Sequence, residues 1–300
     1  ANSTPAVPTL TSPANGSTAG SLSPTFTWAA VTGPATYEIQ VATDAAFTNV
    51  VASATGLTVT SFTPASPLAS NTPYFWRVRA VNACATGAYS TVFNFTTPCV
   101  TGYAATTQTG QTIPAGGTFI PLSNDDDFVV AIPLPSGWTS TVYGIPVTSL
   151  SASTNGNMRV NGAASTTFLN TALPAAQGGT NPTLLPFWDD FDMDVADVTG
   201  GGIFTNTIGS APNRQFYVEW RAQHFDETVN GPITINIAIL LTEGSDVVRY
   251  IYASTGIGAI MNGASATVGI QREQTGTNFS QFSFNTASLS AGLQITYTAT

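Results

Sequence analysis

The chain has 300 residues and no lysine: seven arginines face sixteen acids, there is a single histidine, and charged residues make up 8% of the total. An ordinary soluble domain carries roughly 25% charge, so alanine, threonine, serine, glycine and asparagine take the place that charge usually holds. A formal net charge of −9 argues against nucleic acid and anionic membrane as partners, and the lack of an 18-residue apolar run excludes a spanning helix.

A surface of hydroxyls, amides and methyls suits a chain that works outside the cell, packed against neighbours or glycan. The opening ANSTPAVP lacks a basic, apolar signal pattern and is expected to follow a targeting segment already removed. Sequons at Asn2, Asn15, Asn94 and Asn278 matter only where the producing cell glycosylates.

Helical periodicity is almost absent and period-two alternation recurs, with Gly, Pro, Asn and Thr as punctuation about every ten residues. This pattern predicts an all-β chain of two antiparallel β-sandwich domains. In the first, residues 1–98, Phe26 and Trp28 share one face of an early strand. Tyr37, Ile39 and Val41 alternate inward, then Tyr74, Trp76, Val78 and Ala80, and YSTVFNFTT closes the unit. Leu68 followed by Tyr74 has the form of a tyrosine corner, in which the phenol bonds back to the preceding turn. Together these residues resemble a fibronectin type III domain of the bacterial secreted kind, over about a third of the chain. The resemblance implies the sandwich fold and is silent on function.

Pro98 ends the last strand of that unit, and the pattern restarts in a larger sandwich, residues 99–300. Its landmarks are NDDDFVVAIPL, VYGIPVTSLSASTNGNMRV, LLPFWDDFDMDVAD, APNRQFYVEW, ATVGIQ and the final LQITYTAT. Ile233, Ile235, Ile237, Ile239 and Leu241 alternate most cleanly and predict a central core strand. The order of Asp-Asp turn, Tyr-Gly turn, Ser-Asn-Gly strand end, Pro-Phe-Trp-Asp-Asp strand, Asn-Arg-x-Phe-x-Val-x-Trp and Val-Gly-Ile-Gln resembles a nidogen-like β-sandwich module. Such modules are found at the C-termini of secreted bacterial proteases and surface proteins. One departure is Asp127-Phe128, where a small residue often follows the acids. The resemblance implies an accessory or structural role rather than an active site.

Half of the acids fall in two clusters, Asp125, Asp126 and Asp127, and Asp189, Asp190, Asp192, Asp194 and Asp197. In an extended segment Asp190, Asp192 and Asp194 share a face at about 7 Å spacing and repel one another. Calcium would relieve this repulsion, because it takes six to eight oxygens and tolerates irregular loops. The candidate ligands are Asp190, Asp192 and Asp194, with Asp189 and Asp126. The segment is not an EF-hand, since no glycine and closing glutamate follow. The alternative is a solvated loop whose aspartates make turns.

Support for catalysis is thin. His224 is expected on the surface or in a loop, no G-x-S-x-G elbow occurs, and zinc ligands are missing. Glu219, on the face opposite Phe216 and Trp220, reads as exposed, and a glycosidase pair of Glu219 with Glu227 gains nothing from that. Trp28, Trp76 and Trp220 read as core and Trp188 as core or site wall. Trp138, in a turn between Gly137 and Thr139, is the candidate carbohydrate platform, with edge packing as the alternative.

Cys84 and Cys99 are the only cysteines. If 74–82 and 89–97 form a hairpin, they lie on the order of 35 Å apart, too far for an internal bridge. A disulfide between molecules, two free thiols and an unforeseen internal bridge remain open.

These readings converge on a non-catalytic extracellular or cell-surface protein that self-associates into a fibre or adhesive layer through open sheet edges. The alternative is a C-terminal accessory region of a secreted hydrolase that binds substrate, glycan or cell-wall polymer.

Overall fold

The computed structural model describes residues 4–33, 36–176, 180–194, 198–226 and 232–300. The chain divides into two compact units, Ala1–Val100 and Thr101–Thr300. Asp197 and Glu227 lie outside the described residues.

The first unit contains β1 (Leu10–Ser12), β2 (Ser17–Thr18), β3 (Phe26–Trp28), β4 (Thr36–Ala42), β5 (Val50–Leu57), β6 (Ser61–Phe62), β7 (Pro73–Val81) and β8 (Phe93–Thr96). A three-stranded sheet in the order β1-β3-β6 packs on a five-stranded sheet in the order β2-β8-β7-β4-β5. The alternating positions of β4 and β7 supply one wall of the core, and Phe26 and Trp28 the other. Phe26 meets the edge of Trp76 at 5.1 Å and that of Phe95 at 5.6 Å; such aromatic pairs add about 0.5–1.5 kcal/mol beyond burial. The tyrosine corner forms as expected, with the Ala69 N–H donating to Tyr74 Oη at 3.0 Å.

The second unit contains β9 (Tyr103–Gln108), β10 (Thr118–Phe119), β11 (Val129–Ile132), β12 (Thr141–Val142), β13 (Ile145–Pro146), β14 (Leu150–Ser153), β15 (Asn157–Val160), β16 (Thr183–Trp188), β17 (Phe191–Asp192), β18 (Gly202–Ile208), β19 (Gln215–His224), β20 (Ile235–Thr242), β21 (Val248–Thr255), β22 (Thr267–Gln271), β23 (Phe279–Phe284) and β24 (Gln294–Ala299). The larger sheet runs β10-β18-β19-β20-β21-β24-β9, with β17 pairing beside β19; the smaller runs β11-β14-β15-β16-β22-β23. The strand expected over 233–241 is central: β20 lies between β19 and β21, and Ile235, Ile237 and Ile239 are fully buried.

Aromatic side chains tie the two sheets together by their polar tips. Tyr250 Oη donates to Gly269 O at 2.8 Å, Tyr252 Oη to Pro186 O at 2.7 Å and Trp220 Nε1 to Ser153 O at 2.8 Å. A buried hydroxyl or indole N–H without such a partner would be costly. Pro186 stands in a central strand although it has no N–H to give. The β16–β22 register accordingly shifts between Leu185 and Trp188, as proline in a sheet requires.

The outer face of the larger sheet is covered in its middle, over β19, β20 and β21. Ile113 packs on Tyr217, Ala238, Leu240 and Ile251, and Arg221 Nη2 donates to Gly116 O at 2.9 Å. Glu219, expected to be exposed, is therefore only 5% exposed, with Arg221 bound to both of its carboxylate oxygens at 2.9 Å. The 110–117 connection crosses the face on which the alternation puts it.

Candidate functional site

The site is built where β16 ends. Trp188 is core, and its Nε1 donates to Thr167 O at 2.7 Å, which fixes the 165–170 segment against the strand. The chain then turns through Asp189 and Asp190 into β17, which lies along the end of β19 with Phe191 opposite His224. Phe191 and Met193 are buried while Asp190, Asp192 and Asp194 are half-exposed, so these three share the outward side as the period-two pattern requires.

Asn155 joins this turn to the other acidic segment. Its Nδ2 donates to Asp127 Oδ1 at 2.7 Å and Thr166 O at 2.9 Å, and its Oδ1 accepts from Phe191 N–H at 3.1 Å. The residue is fully buried at the β14–β15 turn, and one amide thus holds three segments. Gly156 follows at φ +66°, and a Cβ there would stand 1.9 Å from Phe187 O. Only glycine lets this turn come so close to β16. The Ser-Asn-Gly strand end carried this geometry, but its role was invisible before the segments were placed.

The two acidic segments face each other. Burial pushes the Asp190 carboxyl up to about 6, with Asp126, Asp127 and Asp189 adding repulsion and His224 opposing it. Asp126 is also raised, by burial and then by Asp127, with Asp192 and Asp125 contributing. Several carboxylates already act as acceptors in local turns: Asp125 Oδ1 takes Asp126 N–H at 2.9 Å, and Asp192 Oδ1 takes Asp194 N–H at 2.8 Å. Among the described residues no three His, Cys, Asp or Glu side chains converge closely enough to hold a metal ion. A calcium ion at Asp126, Asp189, Asp190, Asp192 and Asp194 would have to draw the two segments together.

Beside Asp190 lies an open pocket of about 440 Å³. Asp189, Asp190, His224, Asp226, Ser265 and Asn170 bring polar groups to it, and Phe168 and Leu169 form an apolar rim. His224 corrects the expectation of a surface or loop residue: it ends strand β19 and is 4% exposed. Extending the alternation from Phe216, Val218 and Trp220 by two more steps puts it on the inward face.

Its Nδ1 accepts from Asp226 N–H at 3.0 Å, so the proton of the neutral ring sits on Nε2. That atom is 3.3 Å from Asp189 Oδ1 but lacks the alignment of a hydrogen bond. Burial disfavours the imidazolium, yet the Asp189 carboxylate, helped by Asp226 and Asp190, outweighs burial and leaves the His224 pKa raised.

Ser265, Asp189 and His224 do meet here, but in an order unsuited to a hydrolase. Ser265 Oγ donates to Asp189 Oδ2 at 2.6 Å, and His224 lies on the other side of that carboxylate. A serine nucleophile needs the imidazole between hydroxyl and acid. The pocket is instead an acidic floor with an apolar rim, which suits a cationic group on an apolar stem.

Trp138 is not a platform. It is 9% exposed, packs on Phe216 at 5.7 Å and donates Nε1 to Ser140 Oγ at 2.9 Å, so edge packing accounts for it. Trp28, Trp76 and Trp220 are core. Cys84 and Cys99 are both free and exposed, so the chain has no internal bridge.

No curated protein sequence matches the chain. A solved Fn3-like protein from Clostridium thermocellum is similar at 25% identity and TM-score 0.27, over 32% of this chain and 96% of that one. The FN1–FN3 domains of chicken CNTN1 are similar at 11% identity and TM-score 0.25, over 79% of this chain and 65% of that one. The profile of the family described as NIDO related matches residues 102–300, which is more than half of the sequence. The chain belongs to the NIDO-related family.

Proposed function

We propose that this chain is a non-catalytic extracellular structural protein, a subunit of a surface fibre or adhesive assembly. The observation that carries the reading is a lysine-free surface in a chain with 8% charged residues. A lysine or glutamate trapped at a subunit contact must be desolvated or paired, at a cost of several kcal/mol when it is neither. Alanine buries at little cost, and threonine and serine do so once their hydroxyls find a hydrogen-bond partner across the contact. A surface composed this way suits close packing of copies on several sides. Two β-sandwich units in tandem, one of them NIDO-related, fit a load-bearing or binding module.

Imaging purified full-length chain by negative stain, together with sedimentation across a concentration series, tests this. Ordered filaments or a concentration-dependent series of oligomers are expected. A monodisperse monomer at all concentrations overturns the reading.

The acidic, apolar-rimmed pocket favours the second reading, an accessory region of a secreted hydrolase that binds a substrate or cell-wall polymer. Pull-down on insoluble glycan and on cell-wall preparations tests it, and retention by a monomeric chain is its expected result.

A further inference from the structure

Sheet proteins ordinarily guard their edge strands with charges, prolines or bulges, because an open edge offers unpaired backbone groups to any other strand. Here the placement of charge is reversed. Within the described sheets, charged residues lie in β4, β7, β15, β19 and β21, each paired on both sides, and otherwise only in the two-residue β17. The open edge strands β5, β9, β11 and β23 carry none.

Two of these edges also present apolar side chains and a groove. On β5, Val50 and Val51 are 38% and 46% exposed at a bulge in the pairing with β4, and a groove of about 400 Å³ runs beside the strand towards Phe62 and Leu68. Along β11 a groove of about 470 Å³ lies between Ile120–Leu122 and Val129–Pro133. Leu122 there is 67% exposed at φ +67°. A leucine held in the left-handed region costs about 1–2 kcal/mol, and strain of that kind persists where function uses it. The edges β9 and β23 differ: they lie against each other, and β9 exposes only alanine, threonine and glutamine.

We propose that β5 of one copy adds to the free edge of β11 in the next copy, head to tail. Strand addition supplies main-chain hydrogen bonds, and alternate side chains enter the grooves. The occupant is a second copy because the same chain carries both uncharged apolar edges, one in each unit, and neither contains a charge that pairing would strand. Each copy has one of each edge, so the contact is heterologous, and its rotation sets whether it closes into a ring or propagates into a filament. This inference rests on the fibre reading and names its contact.

The test uses the full chain with lysine placed at exposed outward positions, Val51→Lys on β5 and Ala131→Lys on β11, in sedimentation velocity. Circular dichroism melts within a few degrees of the wild type show that each variant folds. Each variant alone is expected to lose the oligomers entirely and run as a monomer. An equal mixture of the two is expected to recover a 1:1 dimer and nothing larger, since only one good pair of edges remains. Oligomers that persist in either variant, or a mixture that stays monomeric, overturn the β5–β11 contact while leaving the fibre reading intact. A wild-type chain that never associates overturns the fibre reading itself.

Discussion

At the scale of single residues, the backbone around the site allows little substitution. Gly156 sits at φ +66° with Phe187 O where a Cβ would go, whereas Gly137, at φ +69°, has open space around it. Gly156→Ala should cost roughly 2–5 kcal/mol from strain and overpacking together, and Gly137→Ala only about 1 kcal/mol from the left-handed φ; denaturant melts of both variants compare them. Asp190 makes a pH prediction. Its folded pKa of about 6 lies above the ordinary 3.8, so between these values the folded state holds the extra proton and stability falls as pH rises. Above pH 6 the full cost is present. Asp190→Asn should therefore be more stable than wild type at pH 7, by about 1 kcal/mol once solvent screening of a half-exposed group is discounted. The gain should vanish below pH 4. His224 acts in the same direction: its raised pKa gives stability that is present below pH 6.5 and is lost as pH rises through the folded value. Melts in excess EDTA and in millimolar calcium read whether a cation also relieves the repulsion, by raising Tm with calcium in wild type but not in Asp190→Asn.

At the scale of elements, β20 is the strand on which the second unit depends. Ile237 is fully buried and pairs with Trp220 on one side and Tyr252 on the other. Ile237→Ala should cost on the order of 2–4 kcal/mol, because its neighbours belong to paired central strands and cannot collapse into the void. Urea melts measure it, and a loss under about 1 kcal/mol would place the residue in a softer environment than its burial implies. The opposite face of the same strand, with Ala238 and Leu240, packs under Ile113. Ile113→Ala should therefore destabilise as well, by about 1–3 kcal/mol, although it lies in a connection and not in a strand.

For the whole molecule, the exposed thiols report on assembly. Cys84 and Cys99 are both accessible and unbridged, so dissolved oxygen, by taking up the two thiol hydrogens, can join a cysteine of one copy to a cysteine of the next. Gel electrophoresis without reductant is expected to show a ladder of oligomers that collapses to one band when reductant is added. A single monomer band under both conditions rules out the covalent link but leaves the non-covalent β5–β11 contact standing.

The alternation in β4, β7, β19 and β20 is a local property of the chain, so the all-β class, the tyrosine corner and the core tryptophans were legible without coordinates. The acidic segments and the Ser-Asn-Gly end could likewise be picked out, because residue type alone marks them. What surrounds each residue is a long-range matter. Glu219 is buried because a connection about a hundred residues earlier in the chain crosses its sheet face. His224 enters a pocket because β17 and Ser265 arrive beside it from elsewhere in the sequence. Trp138 loses its free ring face to Phe216 for the same kind of reason. Period and composition therefore determine which strands form and which of their faces are apolar. Which face is covered, which edge stays open and which acids meet depends on connections between distant segments, and only the tertiary structure decides that.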